Sequence, residues 1–357
     1  MKIRGLWLVV PWVLFVGLAI GWVFYWNYIA QQTEQRLQAW TSDQTAHGAT
    51  ASITRVVRHG FPVLMRLELD GVTYAPAHGG WRVTTPRADL NVELWNPQHI
   101  ILESKAAIAV SRADGAVTNV TSTALIASLR TDNGRLAVAG IEGDNIALDD
   151  PAQEGVLRAR KLVANVRPDP RAAGDYQLAF DVQEMTLPRP VRSFETFGLD
   201  VPVMHAAIVV EHGADLLRQT NPTDPLEAWR LAGGKLRFEG LELRWGPLRT
   251  TGTGEGTLDA QRRLQGRLVL PIHHPARVLL AIANGDNVNH DARSALQLAA
   301  AAYTVTGNEI TLDVGARDGV LSVEGVAVRD LPPVYGGPPP TPPAPPPTIP
   351  APNVPTP

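Results

Sequence analysis

Metal coordination is the first chemistry to test in this chain, because nine histidines are scattered along its 357 residues. Zinc-type sites place ligands on one element at a fixed spacing, as in H-E-x-x-H, and no such spacing occurs. Only His273 and His274 are adjacent. Neighbours in a strand point to opposite faces, and Pro275 follows, so the pair reads as a turn into a helix. Gly252, Gly254 and Gly256 lack the G-x-G-x-x-G spacing, and no helix pattern follows to offer an anion-binding N-terminus. A hairpin or bulged strand accounts for them. Asp149 with Asp150, and Asp313 with Asp318, supply carboxylates, but acid–base work needs a pair facing across a cleft. At these positions turn and strand-end solvation is the simpler reading. No G-x-S-x-G, phosphate-binding loop or kinase-like set occurs. Cysteine is absent, which removes disulfides, thiolate metal sites and cysteine nucleophiles. No catalytic, metal-binding or cofactor-binding residue is assigned, and the chain reads as a non-enzyme.

With 32 basic against 35 acidic residues and a formal charge of -3, the chain lacks the cationic excess that a phosphate backbone would require. Nucleic acid is excluded as the expected partner. From Gly5 to Thr33 there is no charged side chain. As a helix, residues 6–28 reach roughly 35 Å, enough to cross a hydrocarbon core of about 30 Å. Lys2 and Arg4 precede the run and Glu34 is the first charge after it. The positive-inside bias therefore places the N-terminus in the cytoplasm and the rest outside. The apolar run is longer than a signal-peptide core and no A-x-A site follows it, so it reads as an uncleaved signal anchor. Trp22, Tyr25, Trp26 and Tyr28 are expected to anchor the outer membrane interface, with Trp7 and Trp12 nearer the inner one. The expected location is the inner membrane, single-pass, with the bulk periplasmic.

Beyond this anchor (residues 6–29, after a cytoplasmic stub 1–5), residues 30–50 read as a polar helical stalk. Residues 51–333 form a β-rich body of short alternating runs broken by Gly, Pro and Asp-Gly, with a subdivision expected near 190–225. Helices are expected at 225–231, capped by Asp224, at 275–284, and at 291–302, capped by Asp291. One pattern recurs at four places: Leu67, Leu69, Gly71; Leu136, Val138, Gly140; Leu236, Phe238, Gly240; Leu321, Val323, Gly325. At each glycine the apolar alternation slips by one residue, which a β-bulge or a two-residue turn must absorb. The fold class is thus mainly β with a few helices: a long curved antiparallel sheet, built either as a groove or as a sandwich. From Pro332 the chain turns proline-rich, and residues 334–357 are expected to be a disordered, extended tail.

The order of these features carries a likeness. Gly60-Phe61-Pro62 entering Leu67 to Gly71, then Trp81 and Asn96-Pro97, resembles the bacterial membrane-anchored family catalogued as domain-of-unknown-function family 2125. Gly233-Gly234-Lys235, Leu243-Arg244-Trp245-Gly246-Pro247-Leu248, Gly254, Leu258-Asp259 and Pro332 extend the resemblance over about residues 30–333. It implies fold and location but no reaction. Members of the family are expected to carry a cysteine pair, which this chain lacks. The bends also look like those of AsmA-like envelope proteins, which are thought to conduct lipid along β-grooves.

Two functions follow as expectations. One is an envelope protein that binds or passes an acyl chain along an apolar groove. Its bends would be marked by Leu67, Leu69, Gly71, Leu136, Gly140, Phe238, Gly240, Trp245 and Gly325. The other is a periplasmic scaffold reaching another envelope protein through its proline tail.

Overall fold

The computed structural model describes residues 6–77, 80–151, 154–217, 225–285, 288, 290–306 and 309–335. An unbroken apolar run followed by a Gln-, Glu- and Ala-containing stretch forms one long helix, α1 (Leu6–Ala46), with Pro11 inside it. The alternating runs then form strands. The first half of the sheet contains β1 (Thr50–His59), β2 (Met65–Ala75), β3 (Trp81–Glu93), β4 (Asn96–Ser104), β5 (Ile108–Arg112), β6 (Val117–Thr121), β7 (Ala124–Asp132), β8 (Arg135–Asp149) and β9 (Val156–Pro168). The second half adds β10 (Tyr176–Thr186), β11 (Asp200–Val210), β12 (Leu236–Trp245), β13 (Leu248–Leu258), β14 (Leu264–His273), β15 (Glu309–Arg317), β16 (Val320–Val323) and β17 (Val326–Asp330). Short helices α2 (Gly213–Leu217) and α3 (Pro225–Leu231) precede β12, and α4 (Pro275–Ala283) and α5 (His290–Thr306) precede β15.

All 17 strands belong to one antiparallel sheet. It is a meander with one subdivided stretch. β3 is long enough to pair with two short strands end to end, its residues 89–93 with β4 and 81–84 with β5. β8 receives them in the same way through β7 and β6. The sheet runs on through β10, β11 and β12, so it is continuous across the expected subdivision near 190–225. Among the registered pairings β1 meets only β2 and β17 only β16, which leaves the sheet open.

Two apolar cores lie at its two ends. In the first, Trp26, Ile29 and Ala30 of α1 are buried against Met65, Leu67, Leu69, Leu90, Val92 and Leu94. Where a free polar stalk is expected, the second half of α1 instead lies along the sheet. Leu37 packs on the same core, Trp40 stacks on Tyr74 at 5.7 Å, and Arg58 pairs with Glu34. The reason lies in spacing: Ile29, Thr33, Leu37, Trp40 and Gln44 recur every three or four residues and so share one helix side. In the second core, α4 and α5 cover β14 to β17, with Leu279, Leu296, Ala300, Ile272, Leu312 and Val328 buried together. Phe194, Phe197 and Trp245 close its flank as an aromatic trio with centroids 5.1–5.3 Å apart, and the Trp245 indole donates to the Gly198 carbonyl.

The four expected slips take different forms. Gly325 (φ +75) with Glu324 (φ +52) makes a two-residue turn between β16 and β17. Gly240 adjoins a bulge, with Glu239 as the extra residue on β12 opposite β11. Gly71 (φ +61) kinks β2 with no change of register against β1 or β3. Gly140 is regularly paired with Ser128 and Asn165, and the extra residue of β8 is Ala137 instead. A further slip is carried without glycine. Asn145 (φ +48) in β8 and Glu184 (φ +50) in β10 both lie opposite Arg160 of β9. The apolar alternation resumes one residue out of phase at Ile146 and Met185.

The bulge at Glu239 aims a carboxylate at the β9–β10 turn. There Arg171 bridges Glu239 at 2.9 Å and Asp169 at 2.8 Å. The guanidinium beside Asp169 lowers that carboxyl from 3.8 to about 2. On the same edge of the sheet the Tyr335 hydroxyl donates to Glu227, and Arg262 lies over its ring at 5.3 Å. The proline tail beyond residue 335, and Asp224, lie outside the described residues.

Two outcomes follow. Leu296→Ala should cost about 2–5 kcal/mol of stability, while Leu298→Ala, at a side chain 75% exposed on the same helix, should stay within about 0.5 kcal/mol. Chemical denaturation in detergent measures both, and equal costs would mean that the buried face of α5 is misassigned. Because the folded-state pKa of Asp169 is depressed, its stabilising effect is present above the ordinary carboxylate pKa and is lost as pH falls from about 3.8 through about 2. Asp169→Asn should therefore flatten the acid limb of unfolding midpoint against pH in that window; an unchanged limb would remove Arg171 as the cause.

Candidate functional site

Side chains directly opposite one another in paired strands lie on the same face, so the register shows what each face presents. Leu90 opposes Leu102, which opposes Ala127, which opposes Ile141. The row continues through Ala164, Phe180, Ala206 and Leu241. Two residues along the strands, a second row runs Ile100, Leu129, Ala139, Val166, Leu178, Ile208, Phe238. Two residues the other way, Leu125, Gly143, Leu162, Val182, Met204 and Leu243 form a third. One face is apolar in two rows from β4 to β12 and in a third from β7 to β12, where Ser104 of β4 stands opposite Leu125. The opposite face is mixed, its central row running Glu103, Ile126, Glu142, Val163, Asp181, His205, Glu242, with Glu142 paired to Lys161 at 2.7 Å and Asp181 to His205 at 3.5 Å.

An apolar sheet face ordinarily packs on something. Here the two cores stop short: the first reaches Ile100 and the second Trp245 and Leu248, and neither contains a residue of β7, β8, β9 or β10. Along the first two rows this stretch leaves large apolar side chains in the open, with Leu102 40%, Leu129 41% and Ile141 49% exposed, while the third row is closed at Val182, 3% exposed. At the α4 end the third row ends, at Leu243, in the wall of a cavity of about 510 Å³ lined also by Leu270, Ile272, Val278, Leu312 and Val314 among others. Among the described residues Arg329 is the one charged group in its wall. The volume falls in the 300–1,000 Å³ range of small-molecule sites. A second cavity of about 630 Å³ takes in Glu255, Arg267 and Asp313. Its Arg267 is already engaged by two oxygens of Asp313.

The residues singled out from the bends are dispersed. Leu67 and Leu69 lie under α1, Phe238 lies in the second apolar row, and Trp245 belongs to the far core. Leu136 pairs with Thr131 beside the Ala137 bulge, and Gly325 is a turn. The expected interface aromatics also divide. Trp26 is only 7% exposed and enclosed by protein, whereas Tyr28 is 57% exposed. The indoles of Trp22 and Trp26 donate to the carbonyls of Pro62 and Leu64, and the Tyr25 hydroxyl donates to that of Leu94. The rows themselves were missed because only long-range register aligns them; the signal available was the alternation in β7, β8 and β10, read strand by strand.

For chemistry of other kinds the geometry offers less. His273 lies 3.8 Å from Glu309, and His274, at φ +56, caps α4. Among the described residues no group of three or more His, Asp or Glu converges on a point where a metal ion could sit. One helix is long and apolar enough to cross a membrane, and over residues 11–24 its side chains are exposed.

A family model described as "Uncharacterized protein conserved in bacteria (DUF2125)" matches residues 26–332. No curated protein and no solved structure matches the chain.

If the face is open, charge should be tolerated on it. The double variant Leu129→Glu/Ile141→Glu should fold with a thermal midpoint within a few degrees of the parent, whereas Leu279→Glu, at a site 1% exposed in the far core, should unfold the chain by burying an unpaired carboxylate. Thermal unfolding followed by circular dichroism reads both, and collapse of the double variant would mean that the face is covered.

Proposed function

The chain belongs to the DUF2125 family of uncharacterised bacterial proteins, and from that premise we propose that it is a membrane-anchored, non-catalytic envelope protein that holds lipid acyl chains along the apolar face of its sheet. The observation that carries this reading is the pair of apolar rows between β4 and β12 with Leu102, Leu129 and Ile141 exposed. Contiguous exposed apolar surface of this kind marks a binding site in a soluble body. A linear apolar trough suits a chain-like hydrocarbon better than a compact ligand, because each row offers the same contacts at successive strands. The cavity under α4 gives the trough an apolar end, and Arg329 in its wall suits an anionic group.

The anchor supplies the source. In this reading α1 spans the inner membrane with Lys2 and Arg4 on the cytoplasmic side, which puts the body in the periplasm beside the outer leaflet.

Phospholipid bearing a photoreactive diazirine in its acyl chain tests the proposal on the full-length protein in vesicles. Adducts are expected on Leu102, Leu129, Ile141 and Phe180 as well as on the apolar part of α1. Leu129→Glu/Ile141→Glu should reduce the sheet adducts at least several-fold and leave those on α1 unchanged. Adducts confined to residues 6–24 in the parent protein would overturn lipid handling.

A further inference from the structure

The loops at one end of the first core carry apolar residues that stay largely exposed. In the β1–β2 loop Phe61 is 52% and Val63 68% exposed, and in the β3–β4 turn Trp95 is 74% exposed. Residues 60–64 (Gly-Phe-Pro-Val-Leu) and 94–95 (Leu-Trp) contain no charge. Single exposed apolar residues need no explanation, but these are held at one level along α1. The Trp22 indole donates to Pro62 O at 2.7 Å, the Trp26 indole to Leu64 O at 3.0 Å, and the Tyr25 hydroxyl to Leu94 O at 2.6 Å. The Phe61 ring meets Trp26 edge-on at 5.6 Å. Residues 22–26 are about one helical turn, roughly 6 Å of rise, and they end the apolar stretch of the spanning helix. Aromatic and apolar side chains fixed at that level fall where a bilayer's headgroup boundary would be.

We infer that the loops 60–64 and 94–95 dock into the membrane interface, with Phe61, Val63 and Trp95 inserted among the lipids, and that α1 and these loops grip the same leaflet together. The occupant is a lipid surface because the patch is continuous with the exposed apolar side chains of α1, including Phe24 at 72%. Fixed in this way, the turn at Leu94 and Trp95 brings the β3–β4 end of the apolar face to the lipid boundary: Val92 opposes Ile100 immediately behind it. The inference rests on the reading of α1 as a membrane anchor, and the test separates the two.

Because the natural chain has no cysteine, single cysteines can be placed at will. Phe61→Cys, Val63→Cys, Trp95→Cys, Leu18→Cys and Leu298→Cys, each labelled with an environment-sensitive NBD fluorophore, are reconstituted as full-length protein in phosphatidylethanolamine–phosphatidylglycerol vesicles. Blue-shifted emission, quenched by nitroxide lipids, is expected at 61, 63, 95 and 18, with water-like emission at 298. Lipid-like emission at 18 with water-like emission at 61, 63 and 95 would overturn the docked loops and leave the anchor standing. Water-like emission at 18 as well would overturn both.

Discussion

Strand register is the constraint on which this molecule depends. In a sheet whose side chains alternate with period two, a one-residue slip in any strand would move its apolar set to the opposite side. The three apolar rows therefore exist only because successive hairpins are held in step. Two-residue turns with both residues at positive φ do much of this holding: Asn133–Gly134 fixes β7 to β8, and Asp318–Gly319 fixes β15 to β16. Such turns match the twist of the strands they join and allow one pairing. Where the alternation changes phase, the change is shared across neighbours, as when Asn145 and Glu184 flank Arg160, so the apolar face is handed on together.

The helices explain why this face stays open in the middle. α1 covers the first strands with one side of its second half, and α4 and α5 cover the last ones, each burying side chains of the same face that the central strands expose. Burying a large apolar side chain stabilises a fold by about 1.5–3 kcal/mol, so the uncovered strands forgo a stabilisation the two ends enjoy. Natural proteins keep such surface when something other than the chain itself occupies it.

Much of the fold was legible in the sequence. The apolar run of α1, the alternation of the strands and the helix at Pro275–Ala283 all follow from local chemistry, and at Gly325 one of the two local readings, the two-residue turn, holds. What was not legible depends on contacts far apart in the chain. Ile141 is an ordinary alternating residue until its neighbours Ala127 and Ala164 are known. Trp22, Tyr25 and Trp26 read locally as interface aromatics, and nothing local shows that they also donate to the carbonyls of Pro62, Leu94 and Leu64. Gly71 and Gly140 stand in similar local patterns, yet only the first adopts positive φ. The slip at Glu184 was invisible because glutamate rarely adopts that conformation.

A meander sets its own ruler. Neighbouring strands stand about 4.8 Å apart, so the six steps from β4 to β12 make a trough roughly 29 Å wide along the sheet. The hydrocarbon core of a bilayer is about 30 Å thick and each leaflet contributes half of it, so two tails laid end to end would fill the trough. Its length comes in units of one hairpin, about 10 Å, and changes by inserting or deleting hairpins between the capped ends while the helices at either end stay as they are.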